Sequence, residues 1–124
     1  MTSAEKYLRG IEITKEMAPF LAPRLNELQP KFPEIIDHTI EYALGDIYAR
    51  PELDMRTKFI IAFTLCVANG NRGNITGYTK HLLHTGSSRE EIMAILIHIS
   101  AYAGFPAVWE ALGPVQDGLD APDK

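Results

Sequence analysis

The chain has 124 residues, 46% hydrophobic and 23% charged, which is ordinary usage for one globular domain over 1–124 and not for a disordered chain. Twelve Lys and Arg against sixteen Asp and Glu leave a net charge of −4 with no basic cluster, so neither a nucleic acid nor a membrane is an expected partner. The single cysteine, Cys66, excludes an internal disulfide, a Cys-x-x-Cys redox pair and a thiolate zinc cage. With no signal-peptide core in residues 1–6 and no run near the roughly 20 apolar residues of a membrane span, a reducing compartment, the cytoplasm, is expected.

Residues 4–17 form a mostly polar, helix-compatible lead-in. Pro19, Pro23, Pro30 and Pro33 then cut the chain into short pieces, because proline disrupts a helix interior. From Pro33 to Tyr48, Ile35, Ile36, Ile40, Ala43, Leu44 and Ile47 recur at helical spacing, and Arg50-Pro51 ends that helix. Asp54 is placed to cap the next helix, which runs to Ala68. Phe59, Ile60, Ile61, Phe63, Leu65, Cys66 and Val67 go all the way round it, and a helix with no polar face must be buried on every side.

Asn69 to Asn74 reads as a loop, followed by a helix over 75–85 that closes at Gly86. Ser88 and Glu91 match a capping box and open another helix, apolar nearly all round from Ile92 to Ile99. Gly104-Phe105-Pro106 ends it, a last helix begins at Ala107 and is expected to break near Gly113-Pro114, and the tail from Asp120 should fray. Phe105 and Trp109 are read as packing residues. The fold class is all-α, a bundle of about six helices. Two helices without a polar face exceed what so few short helices can cover, so contacts between subunits are expected.

Three segments carry a resemblance. Gly45-Asp46-Ile47-Tyr48-Ala49-Arg50-Pro51-Glu52-Leu53, Gly86-Ser87-Ser88-Arg89-Glu90-Glu91-Ile92 and Tyr102-Ala103-Gly104-Phe105-Pro106-Ala107 occur in the order and spacing of the carboxymuconolactone decarboxylase family. The chain resembles that family over about residues 32–119. The wider group includes alkylhydroperoxidase D-like proteins. The resemblance implies a compact all-α subunit assembled as a homo-oligomer, a trimer or hexamer, acting on a small anionic substrate with no cofactor; no metal is expected, since the spacing of His38, His81, His84 and His98 gives no metal signature.

Departures from the family pattern bear on the chemistry. In the peroxidase-like branch the two cysteines would fall on Asn71 and Asn74, and asparagine has no thiolate to attack a peroxide. A histidine shared by both branches falls on Tyr78, and a phenol is a weaker general acid than imidazole at neutral pH. An antioxidant role is therefore disfavoured. A non-catalytic binding protein on the same scaffold stays open beside the decarboxylase-like lyase.

The family reaction removes carbon dioxide from a γ-carboxy-lactone, whose ring alkene and lactone carbonyl take up the electrons. The protein must orient a dianion, stabilise charge on the carbonyl oxygen and deliver one proton. Arg50 is the first candidate for the carboxylate, because guanidinium offers a planar fork, and Arg56 is the second. Tyr78, and His81 one turn beyond it at the edge of the Ile75–Tyr78–Leu82 stripe, are the candidates for proton delivery. His98, interrupting an apolar helix one turn from Ile95 and Tyr102, is the third catalytic candidate.

Overall fold

In the computed structural model, residues 1–17 and 21–121 are described, and every regular element among them is helical. They divide into two compact units, Met1–Leu53 and Asp54–Lys124. Pro19 and the Pro122–Lys124 end of the tail lie outside the described residues. Among the described residues no helix is long and apolar enough to cross a membrane.

The first unit contains α1 (Ser3–Met17), α2 (Ala22–Leu28) and α3 (Pro33–His38). Pro23 and Pro33 sit in the first turns of α2 and α3, where a missing N–H costs nothing. The expected single helix from Pro33 to Tyr48 is only partly α: beyond His38 the chain winds wider, as a π-helical segment over Thr39–Tyr48. Its end shows the wider step, Ala49 N–H donating to the Leu44 carbonyl five residues back at 3.0 Å.

This segment lies backbone to backbone against α1. A methyl group at Gly10 would overlap the Ile40 carbonyl, and one at Gly45 would overlap the Lys6 carbonyl. Residue 10 thus meets 40 while residue 6 meets 45, so the two helices run antiparallel. Lys6 Nζ stands 3.5 Å from Asp46, and Arg9 donates to the Ala49 carbonyl at 2.9 Å, which satisfies a terminal acceptor of the π segment. Leu25, Ile36, Ile40 and Leu44 are buried in this unit.

The second unit contains α4 (Met55–Ala68), α5 (Arg72–His84), α6 (Arg89–Ala103) and α7 (Phe105–Asp120). Asp54 caps α4, accepting the Thr57 amide at 2.8 Å, and the Thr57 hydroxyl and amide hold its carboxyl below the usual range. The Ser88–Glu91 capping box is present in both directions. Both α4 and α5 end in a left-handed glycine. Gly70 and Gly86 have φ of 69° and 99°, and the next amides, Asn71 and Ser87, reach back to the Cys66 and Leu82 carbonyls.

Two expectations are corrected here. The 69–74 loop is shorter than expected, since Arg72, Gly73 and Asn74 already belong to α5. The last helix does not break at Pro114 but runs on to Asp120. Proline cannot donate to the carbonyl four residues back, that of Glu110. The Arg72 guanidinium from α5 donates to that carbonyl instead, and also to the Glu110 carboxylate at 3.1 Å. One turn on, the Thr76 hydroxyl donates to the Pro114 carbonyl at 2.8 Å. Contacts 72–110, 76–114 and 79–118 advance together, so α5 and α7 run parallel.

Two glycines in this unit make opposite predictions. At Gly118 a Cβ would sit 2.6 Å from Thr79 Cβ and 2.9 Å from the Thr76 carbonyl, whereas at Gly77 it would meet nothing. Gly118→Ala should therefore destabilise the protein by about 1–3 kcal/mol through overpacking. Gly77→Ala should stabilise it by about 0.5–1 kcal/mol, since glycine is a poor residue in a helix interior. Urea unfolding of both variants checks the opposite signs.

Candidate functional site

Phe59, Phe63 and Val67 on α4 are each at most 1% exposed, and their stripe faces the interior of the second unit. Phe59 meets α5 there. Its ring lies flat on His81, with centroids 4.6 Å apart and 12° between planes. Tyr78 completes the cluster, its centroid 5.9 Å from His81 and 6.3 Å from Phe59. The structure thus brings Tyr78 and His81 together on one face of α5. It also corrects the expected boundary position of His81, which is 6% exposed because Phe59 covers it from another helix.

Burial sets the protonation of that imidazole. Desolvation first, and the nearby charges of His84 and Lys80 second, lower the His81 pKa from 6.5 to about 4. At neutral pH it is an uncharged ring, able to donate one hydrogen bond and accept another. Tyr78 beside it is half-buried.

The other candidates stand elsewhere. His98 lines a groove of about 560 Å³ between α4 and α6, and Tyr78, His81 and Arg56 are not among the residues that line it. Arg56 serves the start of α6: its Nε donates to the Ser87 hydroxyl at 3.0 Å, and its fork is ion-paired with Glu91. In the first unit, Arg50 is exposed and pairs with Glu52 at 3.2 Å. Among the described residues no three His, Cys, Asp or Glu side chains gather where they could hold a metal ion.

Cys66 is half-buried, and burial pushes its thiol pKa up, away from the thiolate. Asn71 and Asn74 are exposed at the start of α5. Phe105 and Trp109, read as packing residues, lie on the surface of α7 in the single chain at 56% and 63% exposure. The amphipathic register of α7 explains this, since Val108, Ala111 and Val115 take its buried face.

Sequence reasoning missed Phe59 as the partner of His81, and it singled out His98 without the other residues of the groove. The groove had one readable signal, the small residues Ala68, Ala94 and Ala103 among the large apolar side chains of α4 and α6.

Comparison with known proteins follows the same segments. The Carboxymuconolactone decarboxylase family model matches residues 33–117. A 4-carboxymuconolactone decarboxylase from Acinetobacter baylyi is 23% identical over 112 residues, spanning 86% of this chain and 81% of that relative.

The buried His81 makes a prediction about acid stability. Between pH 6.5 and about 4 the unfolded chain takes up a proton that the folded chain does not, so acid favours unfolding over that window. The contribution is whole above pH 6.5 and is lost as pH falls to about 4. It should amount to about 3 kcal/mol. His81→Gln should remove that slope, measured as the difference between wild-type and variant urea midpoints from neutral to acid pH. Parallel curves would show that His81 does not titrate this way.

Proposed function

Since the chain belongs to the carboxymuconolactone decarboxylase family, we propose that it is a cofactor-free, decarboxylase-like lyase acting on a small anionic lactone. The observation that carries this reading is the Tyr78–His81 pair, two ring side chains that can each donate a hydrogen bond, with centroids 5.9 Å apart on α5 and Phe59 stacked on the imidazole. In such a lactone the carbon–carboxylate bond breaks with its electrons passing through the ring alkene to the carbonyl oxygen. A proton is then returned to carbon. The substrate is its own electron sink, and the protein supplies orientation, hydrogen bonds to the growing oxyanion and the proton.

His81 begins this cycle neutral. Negative charge arriving beside it favours its protonated form, so its proton affinity rises as the oxyanion develops. Tyr78 supplies the second donor in the cluster. Arg50, in the first unit, is the guanidinium assigned to a substrate carboxylate, and it pairs with Glu52 at 3.2 Å. Arg56 is engaged at the start of α6, and its part is to hold that helix terminus in place.

A turnover assay on a γ-carboxy-lactone tests the assignment, with ligand binding measured in parallel. Arg50→Ala should raise KM about 10- to 100-fold, the worth of a hydrogen bond to a charged group. Tyr78→Phe or His81→Ala should lower kcat, with roughly 100- to 10,000-fold lost where the proton donor is removed. Full turnover in all three variants would move the site elsewhere. Binding without turnover in the wild type would make the protein a ligand-binding member of the family.

The homo-oligomer belongs to the same reading. Ile61 and Leu65 on α4, Ile97 on α6, and Trp109 and Leu112 on α7 are between 45% and 68% exposed in the single chain, a large apolar area for water to cover. A trimer or hexamer would bury it. Light scattering at micromolar concentration should report an assembly, and a persistent monomer would refute it. Thiol-driven peroxide turnover should be negligible and unchanged by Cys66→Ser, because a lone thiol has no resolving partner.

A further inference from the structure

The groove between α4 and α6 has a defined build. Ile99 is buried at its floor, Ile60, Thr64 and Ile95 form half-buried walls, and His98 and Tyr102 stand exposed at the rim. Its depth comes from side-chain size. Ala68, Ala94 and Ala103 leave open the space that leucine or methionine would fill on helices of this composition. The volume of about 560 Å³ lies within the usual range of small-molecule sites, which are apolar with a few convergent polar groups.

Its chemistry is selective. No Asp, Glu, Lys or Arg lines the groove, so nothing there would compensate the desolvation of a formal charge. Its polar side chains are Thr64 on the α4 wall and, at the rim, His98 and Tyr102, which stand one turn apart on α6 with ring centroids 5.7 Å apart. One end of a bound molecule would meet an imidazole and a phenol, and the rest would meet hydrocarbon and the Thr64 hydroxyl.

We infer that the α4–α6 groove is a binding site for an uncharged, ring-sized apolar molecule that carries a single hydroxyl or carbonyl, which His98 and Tyr102 hydrogen-bond at the rim. The site uses none of Arg50, Tyr78 or His81, so it stands independently of the lactone reading. Its ligand is also of a different kind, since that substrate is anionic.

Equilibrium dialysis at neutral pH against 2-naphthol and 2-naphthoate tests this. The two probes share a ring system and differ in charge. Wild-type protein should bind 2-naphthol saturably and bind the carboxylate more weakly. Ala94→Leu fills the groove and should weaken 2-naphthol binding by about tenfold or more. Thr64→Leu fills it from α4 and should do the same if the first variant folds poorly. Ala101→Leu, on an exposed α6 position outside the lining, should leave binding unchanged. His98→Ala should weaken it roughly three- to tenfold, the worth of one hydrogen bond.

Circular dichroism melts establish that each variant is folded. Absent binding in the wild type, equal binding in a folded Ala94→Leu or Thr64→Leu, or tighter binding of the carboxylate would each overturn the inference. So would a wild type that binds no 2-naphthol while Ala94→Leu lowers the assembly size in light scattering, because the groove would then be covered by a second copy of the chain.

Discussion

Helix α4 has no polar face, and the second unit is arranged around that constraint. A helix apolar on all sides gains from cover on every face, and α5, α6 and α7 all pack against it while one stripe stays at the surface. Different stripes of α4 then do different work. The Phe59–Phe63–Val67 stripe is buried and lays Phe59 flat on His81. The Ile60–Thr64–Ala68 stripe forms one wall of the groove. Ile61 and Leu65 remain exposed, the excess that a second subunit would cover. The dry histidine, the apolar groove and the sticky surface share one origin.

The same logic shows which features could be read from the residues. Local signals were legible because their physics is local. Asp54 and Ser88 satisfy amides within their own first turns, and Gly86 takes left-handed backbone that most other residues resist. The Pro33–Tyr48 periodicity identified a helix but not its π winding, because the wide turn depends on hydrogen bonds that hydrophobic spacing does not encode. Pro114 was misleading for the opposite reason. Its local rule is sound, but the donor that rescues the orphaned Glu110 carbonyl comes from Arg72, far away in the sequence.

The candidate site was legible to a similar depth. The three-residue spacing of Tyr78 and His81 places them on one face of a helix, and their ring contact follows. Their environment did not follow from that spacing. His81 is dry because Phe59 arrives from α4, a tertiary fact, and with it comes the lowered proton affinity. Arg56 illustrates the same limit from the other side. A free guanidinium and one already engaged by Ser87 and Glu91 look alike in a sequence.

A neutral, buried imidazole places a quantitative condition on the proposed chemistry. To hold a proton at pH 7, His81 must recover about three pKa units from its value of about 4. That is about 4 kcal/mol in favour of the charged ring. A single negative charge 4 Å away supplies about this much at an effective dielectric of 20, whereas at twice the distance it supplies about half. On the proposed reading, an oxyanion forming close to the ring would favour its protonated form more than a carboxylate bound farther off. Before the carbon–carboxylate bond breaks, the reacting carbonyl is neutral and the ring stays neutral with it. In the proposed chemistry, proton affinity and oxyanion character would then rise together, which would confine proton uptake to the step that needs it.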